Sequence, residues 1–183
     1  MTDPDYFFHL DDDFYLRPLR ASDLDGRWVA WLNDDEVTRH QSRGIYPQTL
    51  EAQRRYYESL SGSKTDVVLA IVDRNNDQHI GNVGLHQIDP VHRTAVLGIV
   101  IGERSGWGRK IGKRAWAAIT RYGFEVLNLH KICATVIEGN EPSLRCALAA
   151  GFVVEGRQVR QMYKHGVYLD LIHVGLLREN WPP

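Results

Sequence analysis

The chain has 183 residues, of which 43% are hydrophobic and 25% charged, and its net charge is −1. That balance favours one globular domain over residues 1–183 and gives no overall basic surface for nucleic acid. No apolar run approaches the roughly 20 residues of a membrane span. The acidic start, MTDPDYFFHLDDD, lacks the basic opening of a signal peptide, so a cytoplasmic protein with a loose segment over about 1–13 is expected. Cys133 and Cys146 form no disulfide framework, and no His-x-x-x-His pair suggests a metal site.

Phe14 to Arg20 alternates and predicts a first strand. Ser22 or Asp23 can cap a helix through about Asn33, with Leu24, Trp28 and Trp31 on one face. Pro47 and Thr49 open a second helix through about Leu60. Asp66 to Asp73 predicts a buried strand, followed by a turn at 74–77, a strand from His79 to Ile88, a turn at Asp89-Pro90 and an antiparallel strand from Arg93 to Ile101. Apolar positions at helical spacing (Ile111, Ala115, Ile119, Tyr122, Val126) predict a long helix from Lys110 to Leu127. Lys131 to Ile137 is a strand, Glu138-Gly139-Asn140 a turn, and Pro142 leads a short helix that Gly151 ends. Phe152 to Arg157 and Val167 to Leu176 are the last strands. The order is β-α-α-β-β-β-α-β-α-β-β, an α/β (α+β) mixed sheet, mostly antiparallel, with one right-handed parallel β-α-β crossover.

The most informative stretch is Val96 to Gly112, VLGIVIGERSGWGRKIG. A β-branched strand runs into a loop with Gly102, Gly106 and Gly108, and a helix follows. Free N–H groups and the positive end of a helix dipole make this a phosphate-binding design. Arg104, Arg109, Lys110, Lys113 and Arg114 add local positive charge suited to a pyrophosphate. The loop is not a P-loop, because no Gly-Lys-Ser/Thr is present, and no acidic residue follows at the distance a dinucleotide fold requires.

Read together, these residues resemble the GCN5-related N-acetyltransferase (GNAT) superfamily. Its loop motif, Gln/Arg-Gly-x-Gly-x-Gly/Ala, corresponds here to Trp107-Gly108-Arg109-Lys110-Ile111-Gly112. Further matches are Tyr122-Gly123-Phe124, Asn128-Leu129, Lys131, the run from Glu138 to Ser143, the run from Gly151 to Gly156, and the close from Gly166 to Leu177. The chain looks like the branch holding spermidine, nucleotide-sugar amine and ribosomal-protein N-terminal acetyltransferases. The resemblance implies the GNAT fold with acetyl-CoA as donor. Backbone groups of Ile99, Val100 and Ile101 would pair with the pantetheine arm like an added strand. The N–H groups of Trp107, Gly108, Arg109, Lys110, Ile111 and Gly112 would wrap the pyrophosphate, and Asn140 and Ser143 would lie near the thioester, Asn140 having a second reading as a turn or cap residue.

Three positions depart from the family pattern. Lys110 stands where the motif has its second glycine, and Trp107 where it opens on a polar or basic residue. The tyrosine and glutamate that many relatives use for proton transfer fall at Ala147 and Val96, which move no proton. His86 and Asp89, at a strand end near the acceptor site, are the candidate bases, with His92 and Glu103 behind them. The acceptor is an amine of a small molecule or a peptide. A polyamine wants an acidic pocket, but Asp34, Asp35 and Glu36 are mixed with Arg39, Arg43, Arg54 and Arg55. A nucleotide sugar wants basic groups such as Arg39, Arg43 and Arg160. The mixed charge leans to an amino sugar or another small amine. Arg157 with Arg160, and Tyr163-Lys164-His165, either meet an anionic acceptor or are solvated. A non-catalytic acyl-CoA-binding or regulatory protein is the alternative reading, and the terminal strands allow a homodimer.

Overall fold

The computed structural model describes residues 7–181. Its strands are β1 (Phe8–His9), β2 (Phe14–Pro18), β3 (Val67–Asp73), β4 (Gln78–Asp89), β5 (Thr94–Ile101), β6 (Lys131–Ile137), β7 (Val153–Lys164) and β8 (Val167–Leu177). Its α-helices are α1 (Trp28–Leu32), α2 (Asp35–Thr38), α3 (Leu50–Leu60), α4 (Ile111–Glu125) and α5 (Glu141–Ala149). The strands form one sheet in the order β1-β2-β3-β4-β5-β6-β8-β7. Every pairing is antiparallel except β5 with β6, the two ends of the crossover through α4.

Each face of the sheet carries its own apolar cluster. On one face α4 packs Ile111, Ala115, Trp116, Ile119 and Phe124 against Leu85, Leu97 and Ile132. The expected stripe holds through Ile119, but Val126 is exposed and Trp116 and Phe124 are buried in its place. On the other face Leu24, Trp28, Trp31, Leu32 and Val37 form a second cluster that reaches Tyr56 and Val100.

The chain differs from the predicted elements at four places. Phe8–His9 pairs with Leu16 and Tyr15, and the Asp11 carboxylate accepts from the N–H groups of Asp13 and Phe14. Residues 7–13, expected to be loose, are therefore tied to the sheet, and the rest of that expected segment, residues 1–6, lies outside the described residues. The helix expected over 22–33 is broken into a 3-10 turn (Ala21–Asp25) and α1. The break follows from Asp23, whose side chain is spent on Arg17 and the Arg20 N–H, and from the extended backbone of Gly26. Helix α2 was not expected; the Asp34 side chain caps it by accepting from Glu36 and Val37. Strand β7 runs seven residues beyond Arg157 to Lys164, interrupted by register shifts at 154–156 and 158–162.

Candidate functional site

The site begins where β5 and β6 part. Their parallel pairing covers Thr94 to Val96 against Lys131 to Cys133 and stops there. Strand β6 continues to Ile137 on β8, and β5 continues to Ile101 on β4, so a wedge opens between them. The peptide groups that face this wedge can be identified. The Gly102 N–H donates to the Ile80 carbonyl opposite it. Antiparallel pairs alternate between bonded and non-bonded, so Asn82–Val100 and Gly84–Gly98 are bonded pairs. Ile99 and Ile101 then turn their peptide groups away from β4. Consistently, their carbonyls accept from side chains on the open side: Gln41 Nε2 to Ile99 at 3.1 Å and Trp107 Nε1 to Ile101 at 2.9 Å. Each carbonyl keeps a second lone pair. Val100 departs from the sequence reading, because its peptide groups face Asn82 and its side chain joins the cluster on the opposite face of the sheet.

Past Ile101 the loop leads to the start of α4. Gly102 and Gly106 are packing glycines. A Cβ on Gly102 would lie 1.9 Å from the Trp31 ring, and one on Gly106 would lie 3.1 Å from Ile111 Cδ1. Gly108 sits at φ +76° with open space around it. Lys110 occupies the N-cap of α4 at φ 61°, ψ 14°, in the left-handed region. Glycine enters that region freely and other residues at a cost, which is the physical reason for a glycine at this motif position. The Trp107 N–H, expected to join this loop's donors, is spent on Arg104 O, whereas among the described residues no protein acceptor takes the N–H groups from Gly108 to Lys113, and that of Arg114 donates to Lys110 O. A Cβ on Gly112 would meet nothing closer than Cys146 Sγ at 3.6 Å, so the protein itself does not require glycine there.

The expected cluster of basic side chains is mostly engaged elsewhere. Arg104 pairs with Asp34 and Glu36 at 2.9 Å, Arg109 with Asp73 at 3.0 Å and Asp13 at 3.4 Å, and Arg114 with Asp11. Arg109 also lies 4.3 Å over the Phe14 ring. The loop's own charge toward an anion therefore comes from Lys110 and Lys113, added to the free N–H groups.

On the opposite face of the sheet lies a cavity of about 220 Å³. Trp28, Leu32, Tyr56 and Val68 form its apolar wall, Gly84, Gly98, Ile99 and Val100 its floor, and Gln41, Arg43 and His86 its polar lining. Gly84 and Gly98 are cross-strand partners, which leaves that floor bare backbone. His86 Nδ1 lies 2.9 Å from Asp66 Oδ1. That hydrogen bond assigns the proton to Nδ1 and leaves the Nε2 lone pair free. A Cβ at Gly98 would lie 3.3 Å from Nε2, so that atom faces the floor. Just beyond His86 the ladder bulges, with Gln87 at φ 51°, and the bulge re-aims the strand end.

Asp89 lies past that bulge and is not part of the cavity lining. Its Oδ1 accepts from the N–H groups of His92 (2.7 Å) and Val91 (2.8 Å), which hold its carboxyl below the ordinary range. Glu103 is fixed by Trp31 Nε1 at 2.7 Å and Arg27 at 2.9 Å. Asn140 caps α5, accepting from the Ser143 N–H at 3.3 Å, so the cap reading describes its oxygen. Ala147 is fully buried in the core against α4 and carries no group that could donate a proton. Asp66, the partner of His86, was not identified from the sequence; a polar residue opening a buried strand 20 positions upstream was its only signal.

Known proteins share this architecture. The family model described as an acetyltransferase (GNAT) domain matches residues 13–153. The spermidine N(1)-acetyltransferase of Vibrio cholerae is 31% identical over 176 residues, which are 94% of this chain and 97% of that protein. The spermidine N(1)-acetyltransferase of Escherichia coli K12 is 29% identical over 167 residues, covering 91% and 87%. In fold, a crystal structure of Vibrio cholerae spermidine N-acetyltransferase with CoA and spermine superposes with a TM-score of 0.85 at 24% identity, over 93% of this chain and 98% of that one. Over most of its length, then, this chain belongs to the GNAT family of N-acetyltransferases, whose acetyl donor is acetyl-CoA.

Proposed function

We propose that the chain binds acetyl-CoA in the wedge between β5 and β6 and passes its acetyl group directly to a primary amine held in the cavity beside His86. The observation that carries this reading is the pair of wedge-facing peptide groups, Ile99 and Ile101, which leads straight to the unpaired N–H groups of the loop. An extended amide chain such as pantetheine adds to such an edge as a strand would. The N–H groups from Gly108 to Gly112, with the α4 dipole and Lys110, take the pyrophosphate. Asn140 keeps its amide N–H₂ for the thioester end of the donor, beside Ser143.

His86 Nε2 takes a proton from the acceptor ammonium, and Asp66 stabilises the imidazolium that forms. The freed nitrogen attacks the thioester carbonyl. Wedge-facing strand N–H groups support the oxyanion. The C–S bond then breaks, the thiolate takes a proton from water, and the hydroxide left behind takes the second proton from the amide nitrogen. Two bound partners held in register supply much of the rate, so Val96 and Ala147 are compatible with turnover.

The acceptor is a small-molecule amine (amino sugar or polyamine) or a protein N-terminus; the relatives named above for spermidine support the polyamine member of that set. A thermal-shift titration tests donor binding. Acetyl-CoA at about 100 times its dissociation constant adds about 2.7 kcal/mol, roughly 5–10 °C for a chain of this size, with ATP as the anion control. His86→Ala should keep that shift and lose about 10²–10⁴-fold in turnover. Absence of a shift at millimolar acetyl-CoA would sink the donor site. An equal shift without turnover on any amine would favour the non-catalytic acyl-CoA-binding alternative.

A further inference from the structure

We infer that the acceptor is a small primary amine carrying a carboxylate or phosphate, recognised by Arg43; this rests on the acetyl-transfer reading and narrows it. The charge inside the cavity carries the argument. Arg43 and His86 are its basic lining residues, and no carboxylate lines it. Asp35, which acts on Lys164, is not among the lining residues, and other acidic residues nearby are engaged. Asp34 and Glu36 pair with Arg104, and Asp66 holds His86 through one oxygen and the Thr65 hydroxyl through the other. Among the described residues Arg43 has no carboxylate partner; its guanidinium lies 5.0 Å from the centre of the Tyr56 ring. The Tyr56 hydroxyl also takes a hydrogen bond from Arg43, and a guanidinium, with five N–H donors, keeps others for a ligand.

The loop that presents Arg43 is anchored. Lys164, buried on β7, donates to the carbonyls of Gln41 at 2.7 Å and Arg43 at 2.9 Å, and also to that of Thr38. Burial pushes its ammonium down from the ordinary lysine range. Gln41 ties the same loop to Ile99 O, and Gly44, at φ +82°, closes against the Thr38 side chain. Arg43 thereby lines the same cavity as His86, on a loop tied to β5 through Gln41 and to β7 through Lys164.

An acceptor whose amine reaches His86 therefore presents its other end to a guanidinium. A second ammonium, as in a polyamine, meets a like charge there with no acid to pair with. A carboxylate or phosphate meets a planar donor fork suited to two oxygens. A cavity of about 220 Å³ admits an amino acid or an amino-sugar phosphate.

The test uses the full chain at saturating acetyl-CoA, following thiol release with matched amines. One arm compares glucosamine with glucosamine 6-phosphate, another compares an ω-amino carboxylate with its amide, and spermidine is the cationic arm. Calorimetric binding of the same amines to the CoA-loaded protein runs alongside. The inference predicts that the anionic member of at least one pair exceeds its uncharged counterpart by about tenfold or more in kcat/KM, as expected for a charge-assisted hydrogen bond. The arm that shows it identifies phosphate or carboxylate as the anion. Arg43→Gln should bring the anionic amine down to its counterpart through KM, Arg43→Lys should keep part of the preference, and Arg43→Glu should shift it toward spermidine. Spermidine outcompeting every anionic amine, or Arg43→Gln lowering both members of a pair equally, would overturn the inference while leaving acetyl transfer intact. Turnover and binding with none of the amines, despite a normal acetyl-CoA shift, would overturn both.

Discussion

Lys110 shows how one residue can be pulled two ways. Its backbone adopts a conformation that costs an L-residue roughly 1–2 kcal/mol. Its side chain brings charge to a loop where the arginines are already paired. Lys110→Gly should relieve the backbone and lose the charge. Glycine's extra freedom in the unfolded chain returns roughly 0.4–1 kcal/mol, so the net gain is between about 0 and about 1.6 kcal/mol, at most roughly 3–6 °C in melting temperature. The same variant should bind acetyl-CoA more weakly, with a shallower salt dependence. Calorimetry of free and acetyl-CoA-bound forms reads both, and a variant that melts lower while binding tighter would contradict this account of the loop. Gly108, Gly112 and His86 were legible in the sequence because motif and strand position marked them. The roles proposed for Asp66 and Lys164 rest on contacts across 20 and 126 positions of chain, which no local pattern records.

At the level of elements, the strands were legible because alternation and β-branching mark them, and α4 because its apolar face repeats at helical spacing. The region before β3 was harder to read. Asp23 reads as a helix cap, but it is pulled out of that role by Arg17, which it meets bidentately at 2.7 and 2.9 Å with both side chains buried. Burial alone would raise the Asp23 carboxyl, and the hydrogen bonds from Arg17 and the Arg20 N–H outweigh it, so the net direction is down. A depressed carboxyl contributes stability above its unfolded value, about 3.9, and loses it as pH falls through the folded value. Asp23→Asn should cost about 3–5 kcal/mol at pH 7, because Arg17 is left buried and unpaired. Urea unfolding at pH 7 and pH 3 should show the gap between wild type and variant narrowing in acid; a gap independent of pH would remove the pair from the stability account. His79 works in the same direction. Burial between Trp28 and Trp31 holds its pKa down, so acid must charge a buried ring.

For the whole molecule, the proposed function has the sheet separate two tasks. One edge of β5 opens toward β6 and the loop before α4. The face of the same strand, made bare by Gly98 opposite Gly84, opens toward α1, α3 and the loop that carries Arg43. Donor and acceptor would thus meet at Ile99–Ile101 from two directions. Strand β7, at the far edge of the sheet, takes part through Lys164, and it runs beyond its predicted end because its alternation is interrupted by register shifts. Val153, Val159 and Tyr163 on β7 and Tyr168 on β8 are exposed on the terminal strands that the sequence reading allows for a homodimer. No helix among the described residues is long and apolar enough to cross a membrane.

Amide hydrogen exchange across β5, resolved residue by residue with and without acetyl-CoA, tests the central claim most directly. The ladder predicts an alternating response. Ile99 and Ile101, which face the wedge, should gain protection when the donor adds alongside them, and so should Gly108 to Gly112. Gly98 and Val100, already bonded to β4, should change little. Uniform protection along β5, or none at Ile99 and Ile101 under saturating acetyl-CoA, would contradict the placement of the donor between β5 and β6.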